Sequence, residues 1–142
     1  MGKQGDTMHE VRHIGIHIEK KPDEVYAFAS DPRNLPRWAA GLARSEVERD
    51  GDAWIVETPF GKAKLRFAPP NDFGVMDHDV ELAPGITAHN PMRVMPNGTG
   101  SECLFTLIRR PGMSDAQFAA DAAAVEKDLQ TLKHLLEHEA QG

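Results

Sequence analysis

The feature that most limits the fold is the punctuation between Ala43 and Arg110. Turn signals fall at Asp50-Gly51, Phe60-Gly61, Pro69 to Asp72, Ala83 to Gly85 and Asn97-Gly98. The stretches between them are short and alternate apolar with polar residues, so they read as six antiparallel strands in a meander. Pro111-Gly112 breaks the last strand. Ser114 with Gln117 then spells a capping box, in which the two side chains satisfy free amides at a helix start. From there Phe118, Ala122, Val125, Leu129, Leu132 and Leu136 recur three and four apart, which predicts one buried stripe on a helix over Asp115 to Glu137.

Ahead of the meander, His13 to Glu19 sets Ile14, Ile16 and Ile18 on one side and His13, Gly15 and His17 on the other, as a half-buried strand does. Pro22, Asp23 and Glu24 open a short helix, because proline tolerates the first turn and acidic side chains favour the positive end of the helix dipole. Ser30 or Asp31 ends it and caps a second helical segment begun by Pro32, which Pro36 and Gly41 keep brief. Trp38 is its expected anchor in the core. The predicted architecture is α+β, a seven-stranded curved antiparallel sheet in the order β-α-α-β6-α around the long C-terminal helix. Residues 9–138 form the one expected domain, with 1–8 as a disordered lead and 139–142 as a tail.

At 142 residues, 40% apolar and 27% charged, the chain has the composition of a soluble globular domain able to bury its own core. A net charge of −6 argues against nucleic acid or an anionic membrane surface as a partner, since both recruit basic patches. Cys103 is the single cysteine, so neither an intramolecular disulfide nor a cysteine metal cluster is expected. That suits a cytoplasmic location. The first residues lack the apolar core of a signal peptide, and no membrane-inserting run is present. Asn97-Gly98-Thr99, a formal glycosylation acceptor, is therefore read as turn chemistry.

Pairing strands through these turns tests the meander, because a correct register aligns apolar with apolar residues and opposite charges with each other. Arg93 then faces Glu102, while Met92, Asn90 and Ala88 face Cys103, Phe105 and Leu107. His78 faces Asn90, Val80 faces Ala88, and Asp79 faces His89. Leu65 is set against Met76, Lys64 against Asp77 and Lys62 against Asp79. Trp54, Val56 and Thr58 are set against Phe67, Leu65 and Ala63. One inner face becomes apolar and the charges lie outside.

This order of elements resembles the helix-grip fold of the START-like superfamily, also called SRPBCC. The segment Val25-Tyr26-Ala27-Phe28-Ala29-Ser30-Asp31-Pro32-Arg33-Asn34-Leu35-Pro36-Arg37-Trp38 is similar to the family's segment after strand one, where an Asp-Pro, an Asn and a Trp follow a short amphipathic helix. Among its branches the chain most resembles small bacterial polyketide cyclase/dehydrase-like proteins, which include carriers without enzymatic activity. The resemblance implies an apolar cavity between sheet and long helix that holds lipids, sterols, polyketides or other hydrophobic molecules. It brings no universal catalytic motif.

His134-Leu135-Leu136-Glu137-His138 spells an inverted zinc-protease pattern, but both histidines lie off the buried stripe and suit a solvated helix end. Asp77, Asp79 and Glu81 share one side of a strand, yet the register gives them Lys62, Lys64 and His89 as neighbours on the outer face. His78 differs, because it falls on the inner face opposite Asn90. Two polar side chains in an apolar cup must bond each other, a water or a ligand, since an unpaired buried polar group costs about 1–3 kcal/mol. Cys103, on the same face, is read as a small core residue. His13 and His17 are expected to face outward.

The expected function is binding of a small hydrophobic ligand in a cavity lined by Trp54, Leu65, Phe67, Met76, His78, Asn90, Met92, Cys103 and Phe105. No metal or cofactor is called for. One alternative is a cyclase- or dehydratase-type enzyme with His78 as general acid or base and Asn90 polarising a carbonyl. Another is a protein-binding adaptor that uses the charged outer face. A homodimer is compatible with each.

Overall fold

A computed structural model describes residues 8–39, 47–58 and 61–139. Gly41, the start of the second strand at Ala43, Phe60 of the Phe60-Gly61 turn, and residues 1–7 and 140–142 lie outside the described residues. Strand β1 (Val11–Ile18) leads into helix α1 (Pro22–Ala29), then a 3₁₀ turn (Pro32–Asn34) that continues as α2 (Leu35–Trp38). The Asp31 carboxylate accepts from the Arg33 amide and caps the 3₁₀ turn, and Asn34 Nδ2 donates to the Phe28 carbonyl, tying the two helical pieces together. Strands β2 (Glu48–Asp50), β3 (Ala53–Thr58), β4 (Gly61–Phe67), β5 (His78–Ala83), β6 (Ile86–Asn90), β7 (Met92–Asn97) and β8 (Gly100–Ile108) follow. The capping box forms as the sequence predicts, with the Gln117 amide 3.1 Å from Ser114 Oγ and the Ser114 amide 2.8 Å from Gln117 Oε1. It opens α3 (Asp115–His134), which ends in a π turn over Leu135–Glu139.

The strands pair entirely antiparallel, as β1-β8-β7 and as β2-β3-β4-β5-β6. There are eight described strands where the turn pattern counts seven, because the stretch after Gly85 is two strands that meet at Pro91. Proline has no amide to donate and its φ is fixed, so the ladder breaks there and the chain turns from one sheet into the other. The first amide past the break, Met92, donates to Asp77 Oδ1 at 2.9 Å. The sheets stay joined beside it: the Met76 amide donates to the Met92 carbonyl at 2.8 Å, and Val75 bridges to Arg93.

The β5–β6 register matches the sequence pattern, with His78 opposite Asn90, Asp79 opposite His89 and Val80 opposite Ala88, up to a bulge between Glu81 and Ala83. The other hairpins slip. Arg93 lies opposite Leu104 rather than Glu102, because β7 and β8 close on Asn97 and Gly100 with Gly98-Thr99 as the loop. Trp54 pairs with Leu65 and Val56 with Ala63, a slip of two. Leu65 pairs with Val80 and Phe67 with His78, a slip of four that sets Lys64 against Glu81 and Arg66 against Asp79. The cause of the largest slip is the connection before β5, which is wider than a tight turn. Asn71 organises it, accepting from the Phe73 and Val75 amides and donating to the Pro69 and Val75 carbonyls.

Each slip is an even number of residues, so the inner face keeps its members. Val56, Ala63, Leu65, Met76, Val80, Met92, Val94 and Cys103 are buried there. Phe118, Ala122, Leu129, Leu132 and Leu136 cover them from the helix side, with Val25, Ala29, Leu35 and Trp38 closing the core. Val125, on the same stripe, is only half-buried, and it borders a gap in the packing.

Candidate ligand cavity

That gap is a cavity of about 190 Å³ between α3, α2 and strands β5, β6 and β8. The sheet side contributes His78, Val80, Leu82, Ala88, Asn90 and Phe105, continuing past Leu107 and Ile108 to Arg110. The helix side contributes Asp121, Ala124, Val125, Asp128 and Leu129, and α2 adds Leu35, Trp38 and the adjoining Ala39. Ala39, Ala88 and Ala124 are the local reason for the space, since larger side chains at three facing walls would fill it.

The structure brings His78, Asn90 and Phe105 of the nine expected contacts to this wall. Leu65, Met76, Met92 and Cys103 are at most 1% exposed and belong to the packed core. Trp54 and Phe67 are half-buried against that core, and the Phe67 ring lies 5.0 Å from His78 without reaching the cavity. All nine were expected on the inner face, and most of them are packed there among the core residues rather than along the cavity. Sequence reasoning missed Arg110, Asp121 and Asp128. A signal existed: Asp121, Val125 and Asp128 recur four and three apart, a line beside the buried stripe.

His78 is the most constrained polar group. Its Nδ1 lies 3.0 Å from the Met76 carbonyl oxygen, and its ring is flanked by Phe67 and by Phe105, edge-on at 5.9 Å. Burial pushes its pKa down, more strongly than the Met76 bond and the nearby Asp77 and Asp79 push it up. Asn90 is its cross-strand partner, yet no hydrogen bond joins the two side chains, so the mutually satisfied pair that was one reading of the sequence does not form. Trp38 Nε1 is buried with no hydrogen-bond partner among the described residues. On the helix side, burial raises the Asp121 pKa while Arg110 opposes the shift.

The remaining candidates lie elsewhere. The Cys103 thiol is pushed up to about 12 by burial, and by the Glu102 charge after it, so it is no nucleophile near neutrality. Asp79 pairs with His89 on the outer face, and Asp77 lies 3.8 Å from Arg93. His13 bonds Thr106 and His17 bonds Glu102, both on the exposed side of β1. His134 and His138 are exposed with ring centroids 4.6 Å apart, and no group of three or more metal-ligating side chains occurs among the described residues. No described helix is long and apolar enough to cross a membrane.

Residues 8–137 match the family model described as polyketide cyclase / dehydrase and lipid transport. No curated protein matches the sequence. Among solved structures, the chain is similar to the Aha1 dimer from Colwellia psychrerythraea, with a TM-score of 0.73 at 13% identity over 91% of this chain and 97% of that one. It is similar to an uncharacterised protein from Bacillus thuringiensis, with a TM-score of 0.71 at 15% identity over 88% and 97%. CalU16 from Micromonospora echinospora gives 0.67 at 14% identity over 90% and 74%. At these identities the likeness is one of fold. With the family match spanning nearly the whole sequence, the chain belongs to the polyketide cyclase / dehydrase and lipid transport family, in the START-like helix-grip superfamily.

Proposed function

We propose that the protein binds a small hydrophobic molecule in the cavity between the sheet and α3. The supporting observation is the cavity itself: about 190 Å³ of unfilled space, walled mainly by apolar side chains, with the buried His78 on its wall. Well-packed interiors leave few voids of that size. An apolar cavity of about 150 Å³ accepts a benzene ring, whereas drug-sized ligands occupy about 300 Å³ or more. The space therefore suits a compact ring system, or one end of a longer molecule whose remainder passes the half-exposed Arg110, Asp121 and Asp128.

The test is native mass spectrometry of gently purified protein for a retained molecule, followed by thermal-shift screening with compact aromatic and terpenoid compounds. A ligand that raises Tm in the parent and not in a cavity-filling Ala88→Phe variant supports the reading. A parent protein that retains nothing and shifts with none of the compounds overturns it. A second reading, proton transfer by His78 in a cyclase- or dehydratase-type reaction, is favoured by one observation: its Nδ1 is held by the Met76 carbonyl, which leaves Nε2 available as a base. Asn90 would then polarise a carbonyl.

A further inference from the structure

A backbone carbonyl can only accept, so the 3.0 Å contact between His78 Nδ1 and the Met76 oxygen places the ring hydrogen on Nδ1. In the neutral imidazole the lone pair then lies on Nε2. The flanking Phe67 and Phe105 rings hold the imidazole in this orientation, and no described residue bonds Nε2. Burial favours the neutral ring over the imidazolium, which keeps that lone pair in place. His78 is only 5% exposed and lines the cavity beside Asn90, so this wall offers a ligand an acceptor nitrogen next to a side-chain amide.

We propose that the cavity selects its ligand for a hydrogen-bond donor, an uncharged compact hydrophobic molecule whose hydroxyl donates to His78 Nε2. The inference rests on the cavity being a ligand site. A ketone or ether oxygen would face Nε2 lone pair to lone pair, and a carboxylate would add a desolvated charge. A hydroxyl meets the acceptor, and its oxygen keeps lone pairs for the Asn90 amide on the same wall.

Three ring-matched probes separate the possibilities: 2-naphthol, 2-methylnaphthalene and 2-naphthoate, titrated calorimetrically into the full chain at neutral pH. The expected result is that 2-naphthol binds at least about tenfold more tightly than 2-methylnaphthalene, the discrimination of one well-placed hydrogen bond, and that 2-naphthoate binds most weakly. His78→Phe should bring the first two to within about twofold. In the parent protein, 2-naphthol and not 2-methylnaphthalene should shift the His78 Nε2 nitrogen resonance, a readout that needs no variant to fold. Equal affinity for 2-naphthol and 2-methylnaphthalene, with no nitrogen shift, overturns the donor preference and leaves the cavity reading standing. Tightest binding of 2-naphthoate also overturns it, by showing a donor or cation at that point. Binding of none of the three overturns the cavity reading and this inference together.

Discussion

Gly74 and Val94 hold the long connection before β5 against β7: the Val94 amide donates to the Gly74 carbonyl at 3.0 Å, and a Cβ on Gly74 would meet the Val94 carbonyl oxygen at 2.2 Å. Gly74 also has φ +71°, where a side chain is strained. Gly74→Ala combines strain with a backbone clash, and should lower stability by about 2 kcal/mol or more. Gly85→Ala shares the positive φ but meets nothing within 4 Å, and should cost only about 1 kcal/mol. Urea unfolding of both variants separates the clash from the dihedral.

His78 and Asp79 are adjacent in sequence and serve opposite faces. Asp79 pairs with His89, and both side chains are more than half exposed, so the pair is worth about 0.2–1 kcal/mol. Asp79→Ala should leave 2-naphthol affinity within about twofold of the parent, while His78→Ala and Asn90→Ala each weaken it by about fivefold or more. Equal losses in all three titrations would contradict the inside and outside assignment.

Most of the fold was legible because alternation carries facing with a period of two. The turn chemistry placed hairpins two or four residues off at Asn97-Gly98, Phe60-Gly61 and Pro69 to Asp72, yet each error was even and left Leu65, Met76, His78, Met92 and Cys103 facing inward. The break at Pro91 was written in the chain as well, since a proline inside a strand pattern withholds a ladder donor. The cavity was harder to foresee. Parity says which side chains point inward, but not which of them another element covers. Leu65 and Phe105 share a face, and α1, α2 and α3 decide that one is core and the other cavity wall. Where Ala39, Ala88 and Ala124 converge depends on chain segments far apart in sequence, and no local pattern encodes that.

Cys103 gives a chemical check on the packing. It is fully buried, and its thiol is pushed up to about 12, so at pH 8 almost none is thiolate. The native protein should react with Ellman's reagent at least about a hundredfold more slowly than the urea-unfolded chain, since only opened molecules expose the sulfur. Reaction of the native protein at the unfolded rate would show that β8 is open to solvent, and with it the wall that carries Phe105.

His78 also predicts how stability depends on pH. Its folded pKa lies below the ordinary histidine value, chiefly because burial penalises the charged ring. The unfolded chain takes up this proton near pH 6.5, whereas the folded protein does so only at lower pH. The stability tied to a neutral His78 is therefore present in full above about pH 6.5 and is lost as pH falls below it, by up to about 1.4 kcal/mol per pH unit. His78→Phe removes the titrating group while keeping a ring between Phe67 and Phe105. Urea midpoints from pH 7.5 to 5.0 should fall more steeply in the parent than in this variant. Parallel slopes would mean that folding leaves the His78 proton affinity unchanged, and a steeper slope in the variant would mean that the folded ring is charged. Only that second result would mean that Nε2 is not a neutral acceptor on the cavity wall.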